Sequence, residues 1–92
     1  MPDRFFHDPD AVLDYKFDWT SWLSTGETVT VEAITVPSGI TLDSESITDA
    51  GLSVTGWISG GTAGQQYQVT CHITTNGSRE DDRTITLVCR DK

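Results

Sequence analysis

The segment Leu13-Asp14-Tyr15-Lys16-Phe17-Asp18-Trp19 decides the fold class. Large apolar side chains at 13, 15, 17 and 19 alternate with charged ones at 14, 16 and 18. A period of two sends the two sets to opposite faces of an extended strand, whereas a helix needs apolar residues three or four apart. Such a strand has to pack its apolar face, on its own domain or on a neighbour. Upstream, Asp8 to Leu13 has room for one helical turn opened by Pro9, and no segment sustains a helical period.

Downstream the same period recurs. Thr28 to Val36 reads as a strand whose phase slips at Ala33-Ile34, the mark of a β-bulge. Pro37-Ser38-Gly39 ends it, Ile40 to Asp43 begins a short strand, and Ser44 to Gly51 reads as turn. Leu52 to Ser59 alternates again. There Gly56 falls on the inner phase, where its missing side chain leaves room for a large aromatic from an opposing sheet. Gln66 to Thr75 and Arg83 to Arg90 flank Asn76-Gly77, a hairpin with a long tip whose positive φ is supplied by Asn and Gly. In that hairpin Ile73 is expected to face Ile85, Cys71 to face Leu87 and Val69 to face Cys89. The reading is all-β: an immunoglobulin-like antiparallel sandwich of about six to seven strands. Residues 1–10 form an extended N-terminal arm and 11–92 the sandwich domain.

The chain has 92 residues, 36% hydrophobic and 22% charged, with many β-branched residues, which suits one small globular β domain. A net charge of −8 on scattered basic residues excludes phosphate-rich nucleic acid as a direct partner. No apolar run reaches the length that spans a bilayer, so no membrane is expected. Met1-Pro2-Asp3-Arg4-Phe5-Phe6 lacks the basic start and apolar core of a signal peptide. The expectation is a small reading frame made in a cytoplasm, with Cys71 and Cys89 as buried thiols.

Chemistry finds little foothold. Cys71 and His72 are adjacent on a strand and point to opposite faces, so they cannot share an ion. Glu80-Asp81-Asp82 and Asp43-Ser44-Glu45 lack the ligand spacing and glycine of a calcium loop; the first is an acidic tip flanked by Arg79 and Arg83. With His7 in a solvated arm and His72 outward on a strand, a nucleophile has no natural base. No catalytic residue, metal or cofactor is expected. Asn76-Gly77-Ser78 fits a glycosylation pattern but reads as a turn. Aromatic residues on polar phases are what remain. Trp57 lies on the polar phase of its strand, Phe5 and Phe6 in a polar arm, and Trp22 just past the first strand. Phase alone leaves open whether Trp19 and Trp57 belong to core or interface. Phe5, Phe6, Asp8, Asp10, Trp22 and Trp57 are the candidate partner-binding residues.

The opening Asp8-Pro9-Asp10-Ala11-Val12-Leu13-Asp14-Tyr15, then Phe17-Asp18-Trp19 and Trp22-Leu23, resembles the tailed-bacteriophage fiber-tail adaptor proteins. The likeness continues through Val36-Pro37-Ser38-Gly39-Ile40-Thr41-Leu42, Ser59-Gly60-Gly61-Thr62-Ala63-Gly64, Tyr67-Gln68-Val69, Ile73-Thr74-Thr75 and Asp81-Asp82-Arg83-Thr84. It implies a non-enzymatic structural protein of the virion, in multiple copies, made in the host bacterial cytoplasm. Its place would be the tail or the head–tail connector region. Its partners would be portal or connector, tail or fibre subunits. The alternative reading is a carbohydrate- or host-surface-binding, or capsid-decorating, Ig-like domain in which outward Trp57 stacks a sugar ring.

Overall fold

The structure, a computed structural model, describes residues 4–90. Seven strands run in chain order: β1 (Arg4–His7), β2 (Val12–Asp18), β3 (Val29–Thr35), β4 (Ile40–Thr48), β5 (Ser53–Gly60), β6 (Gln66–Thr75) and β7 (Glu80–Cys89). A 3-10 turn, Asp49–Gly51, joins β4 to β5. One sheet has the order β1-β7-β6-β3 and the other β2-β5-β4. All pairings are antiparallel except β1 on β7, which is parallel. The fold is the expected Ig-like sandwich, and no α-helix occurs among the described residues.

The alternation of the opening segment is what builds the core. Tyr15, Phe17 and Trp19 are buried while Asp14, Lys16 and Asp18 face solvent. Val54 and Ile58 of β5, Val69, Cys71 and Ile73 of β6, and Ile85 and Leu87 of β7 meet them between the sheets. Removing a large apolar side chain from water contributes roughly 1.5–3 kcal/mol, so this set supplies most of what holds the two layers together.

Several local expectations are corrected. Arg4–His7 is not a free extension but a strand in register with Arg4↔Thr86 through His7↔Cys89. His7, expected in solvent, is buried. The bulge in β3 lies between Val29 and Val31. Val31 and Ala33 therefore face out, and Glu32 turns inward with Ile34. β4 runs on to Thr48, through the stretch read as turn, because its outer-face hydroxyls have partners. Thr48 Oγ1 hydrogen-bonds the hydroxyls of Ser53 at 2.6 Å and Thr55 at 3.0 Å. In the β6–β7 hairpin, Val69 faces Ile85, Cys71 faces Arg83 and Ile73 faces Asp81, a register four residues away from the expected one.

The tip accounts for that shift. Ser78, not Asn76 or Gly77, takes the positive φ, at 63°. Thr75 closes the turn: its N–H donates to Arg79 C=O at 2.9 Å, and its Oγ1 accepts from the N–H groups of Gly77 and Arg79 at 3.2 Å each. β7 therefore starts at Glu80, three residues before the sequence suggested. The space above Gly56 is taken by Ile34 of the opposing sheet, whose Cδ1 lies 2.8 Å from where a Cβ would stand, an aliphatic rather than an aromatic side chain.

Candidate interaction surface

The six candidate residues fall in three places. Phe5, Phe6, Asp8 and Asp10 lie on and just after β1. Trp57 stands on the outer face of the three-stranded sheet. Trp22 lies at the opposite end of the sandwich, in the loop after β2.

β1 and β2 are edge strands of the two different sheets, and they flank one side of the sandwich. Four of the seven exposed large hydrophobic side chains among the described residues lie on these two short segments: Phe5 (40% exposed), Phe6 (62%), Val12 (55%) and Leu13 (36%). Leu13 is on the inner phase of β2, opposite Ile58, yet stays half in water because it sits near the strand's start. Sequence reading missed Val12 and Leu13; periodicity marks a face but not how far along it the opposing sheet reaches.

This seam is rigidly built. Phe5 meets the Tyr15 ring edge-on at 5.7 Å, and His7 Nδ1 and the Tyr15 hydroxyl share a 2.6 Å hydrogen bond. Burial holds the His7 imidazole below its ordinary pKa and pushes the Tyr15 phenol up to about 12. At Phe6 the Arg90 guanidinium stacks 4.5 Å above the ring. The connecting turn is closed by Asp8, whose carboxylate accepts from the Asp10 N–H and whose C=O accepts from the Ala11 N–H, both at 2.9 Å. The seam thus ends in an acidic turn, with Asp10 exposed.

Trp57 is 43% exposed on the central strand of its sheet. It pairs with Asp14 on one side and Ser44 on the other, beside a register shift between Leu42 and Ser44. Its neighbours on that face are hydroxyls and the charged Asp14 and Lys16, with exposed Val12 of the seam diagonal to it. Trp22, by contrast, is a strut: its ring packs edge-on to Trp19 at 5.5 Å and under the Arg79 guanidinium at 4.1 Å. Arg79 also donates from both Nε and Nη2 to Glu27, with the Nε bond at 2.9 Å. Thr75 Oγ1 and the Ser24 N–H add to the same carboxylate, at 2.5 and 3.0 Å. Those hydrogen bonds, Arg79 first, hold the Glu27 carboxyl down at about 2.

Groups that could do chemistry are dispersed. Cys71 and Cys89 are buried free thiols, and burial pushes Cys71 up to about 12. Cys89 N–H bonds to Gln65 C=O, six positions from Cys71 along the strand direction, so the two lie about 20 Å apart. His72 is held between Asp82 and Glu80 on the outer face of its sheet, and both carboxylates raise its pKa, Asp82 more. A shallow groove of ≈ 680 Å³ between Thr35, Pro37, Gln66, Tyr67, Gln68 and Thr86 contains no carboxylate, imidazole or thiol. No group of three or more His, Cys, Asp or Glu is placed to hold a metal among the described residues, and no helix is long and apolar enough to cross a membrane.

Comparison with known proteins joins this geometry to a family. The solution structure of the PKD domain from the KIAA 1837 protein superposes with a TM-score of 0.57 at 14% identity, covering 100% of this chain and 83% of that one; at that identity the likeness concerns the fold alone. No curated protein matches. The family described as podophage GP4 fiber-tail adaptor protein gp77 matches residues 7–88, from the buried histidine of β1 to Val88 of β7. The chain belongs to that family of podophage fiber-tail adaptors.

Proposed function

We propose that this protein is a structural adaptor of the podophage particle. It joins tail or fibre proteins to the tail or head–tail connector, in multiple copies, through the β1–β2 seam. Family membership supports the adaptor role. The observation that carries the contact face is that Phe5, Phe6, Val12 and Leu13 all lie along the edge made by β1 and β2, Phe6 turned to the outer face of the four-stranded sheet and Val12 to that of the three-stranded sheet, in a domain with a net charge of −8. Exposed aromatic and aliphatic side chains grouped in this way mark protein contacts. The acidic turn at Asp8 and Asp10 favours a partner with basic residues beside its own apolar patch.

Mass spectrometry of purified particles, with cross-links mapped from this chain, tests the reading. The chain is expected in mature virions, cross-linked to tail, fibre or connector proteins. Its absence from them would sink the proposal.

Trp57 favours a second reading, in which its exposed ring among Asp14 and Ser44 is a platform for a sugar. A glycan array comparing the intact chain with Trp57→Ala separates the two. Sugar binding lost in that variant would establish the second reading, and no binding by the parent would remove it.

A further inference from the structure

We propose that the free edge of β1 pairs, antiparallel, with the same edge of a second copy of this chain. The inference rests on the adaptor reading for the gathering of several copies at one place, and it names one neighbour of the seam.

The sandwich has four edge strands: β1 and β3 in one sheet, β2 and β4 in the other. Three of them carry features that oppose the addition of another strand. Register shifts interrupt β3 between Val29 and Val31 and β4 between Leu42 and Ser44, and bulges bend an edge away from a regular neighbour. β2 lines its outer face with Asp14, Lys16 and Asp18, the charges that guard an edge. β1 has an unbroken register, Arg4 as its one charged residue, and Phe6 exposed with the Arg90 guanidinium lying over its ring.

Its backbone is also available. His7 pairs with Cys89, and its C=O accepts from the Arg90 N–H at 3.0 Å. In a parallel ladder each residue turns both amide groups to the same side, alternately along the strand. Phe5 and His7 therefore bond to β7, and the N–H and C=O of Arg4 and Phe6 point to the open edge.

A two-fold axis at Phe6 pairs the outward N–H and C=O of that residue with those of the second copy, while the Asp8 C=O stays engaged with the Ala11 N–H in its own turn. Phe6 pairs with Phe6 of the second copy, and Arg4 meets Asp8 of the second copy, twice by symmetry. The edge is basic where it starts and acidic where it ends, so it is complementary to itself when reversed. The contact is small, which places it among weak associations, and local concentration in a particle strengthens it.

Sedimentation equilibrium of the intact chain, with amide exchange followed at Phe6, tests this over roughly 10 µM to 1 mM. A reversible dimer is expected, with Phe6 exchange slowed at least tenfold as it forms. Arg4→Asp should abolish it, and Asp8→Asn, which keeps the oxygen that closes the turn and removes the charge, should weaken it. Phe6→Pro removes an outward N–H without touching the β1–β7 ladder and should also leave a monomer. A chain that stays monomeric throughout overturns the proposal. So does a dimer that survives both Arg4→Asp and Phe6→Pro, or Phe6 protection that appears only with another virion protein. None of these results bears on whether the chain is present in particles, which tests the adaptor reading separately.

Discussion

His7 and Tyr15 lie in different sheets and share a 2.6 Å hydrogen bond in the core. The bond ties the edge strand of one layer to the edge strand of the other, and it holds Phe5 against the same tyrosine. The seam is therefore anchored from beneath.

Tyr15→Phe keeps the ring and removes the hydroxyl, leaving His7 Nδ1 buried without its partner. The cost of an orphaned buried polar group is about 1–3 kcal/mol. Urea denaturation should show that loss, with faster amide exchange confined to β1. Unchanged exchange in β1 would show that the bond does not hold the strand.

Glu27 gains its hydrogen bonds only in the folded chain, where its pKa is about 2 rather than 4.5. The folded state then binds fewer protons than the unfolded one between those values. The stabilisation is complete above about pH 4.5 and is lost as pH falls toward 2. Thermal midpoints across that window should drop less steeply for Glu27→Gln than for the parent. Equal slopes would remove this cluster as the acid-sensitive element.

Glu32 has the opposite sign. It faces inward beside Glu45, and burial first, then the neighbouring Glu45 carboxyl, raise its pKa to about 7. The folded state holds a proton that the unfolded state has released, so the stability from this group declines as pH rises from about 4.5 to about 7. Glu32→Gln should be close to neutral at pH 5 and more stable than the parent at pH 8, read as a higher Tm for the variant at the upper pH alone. His7, held below its ordinary value by burial, slopes the other way below pH 6.5, so the difference between variant and parent is the quantity to read.

Gly61 has φ of +104°, and a Cβ there would stand 2.5 Å from Cys89 Sγ. Gly61→Ala combines backbone strain with overpacking and should cost about 2–4 kcal/mol in chemical denaturation. Adding Cys89→Ala should recover only the part due to the clash. Full recovery would mean the backbone carries no strain.

The layers of the fold were legible because Tyr15, Phe17 and Trp19 alternate with charges over a whole strand, a signal that tertiary packing had only to accept. What escaped reading depended on partners distant in sequence. The strand at Arg4–His7 is short and its pattern is weak; it exists because β7 offers a parallel edge and Tyr15 a buried hydroxyl. The hairpin register followed from the Thr75 side chain closing the turn, which the Asn76-Gly77 pair does not encode. Glu32 faces inward because the bulge lies early in β3, and apolar spacing fits either position. Among the candidate contact residues, outward Trp57 was readable from phase. Trp22 was not, because its cover is Arg79, more than fifty residues away.

The central claim, that the β1–β2 seam is the adaptor contact, is tested most directly in the particle. Phages carrying Phe5→Ser with Phe6→Ser, or Trp57→Ser, are purified and the copies of this chain retained are counted against a capsid protein, with each variant's Tm measured separately. The account predicts that the seam variant still unfolds cooperatively, from a lower Tm, and is largely lost from particles, while the Trp57 variant stays. Retention of the folded seam variant at the parental level would contradict it.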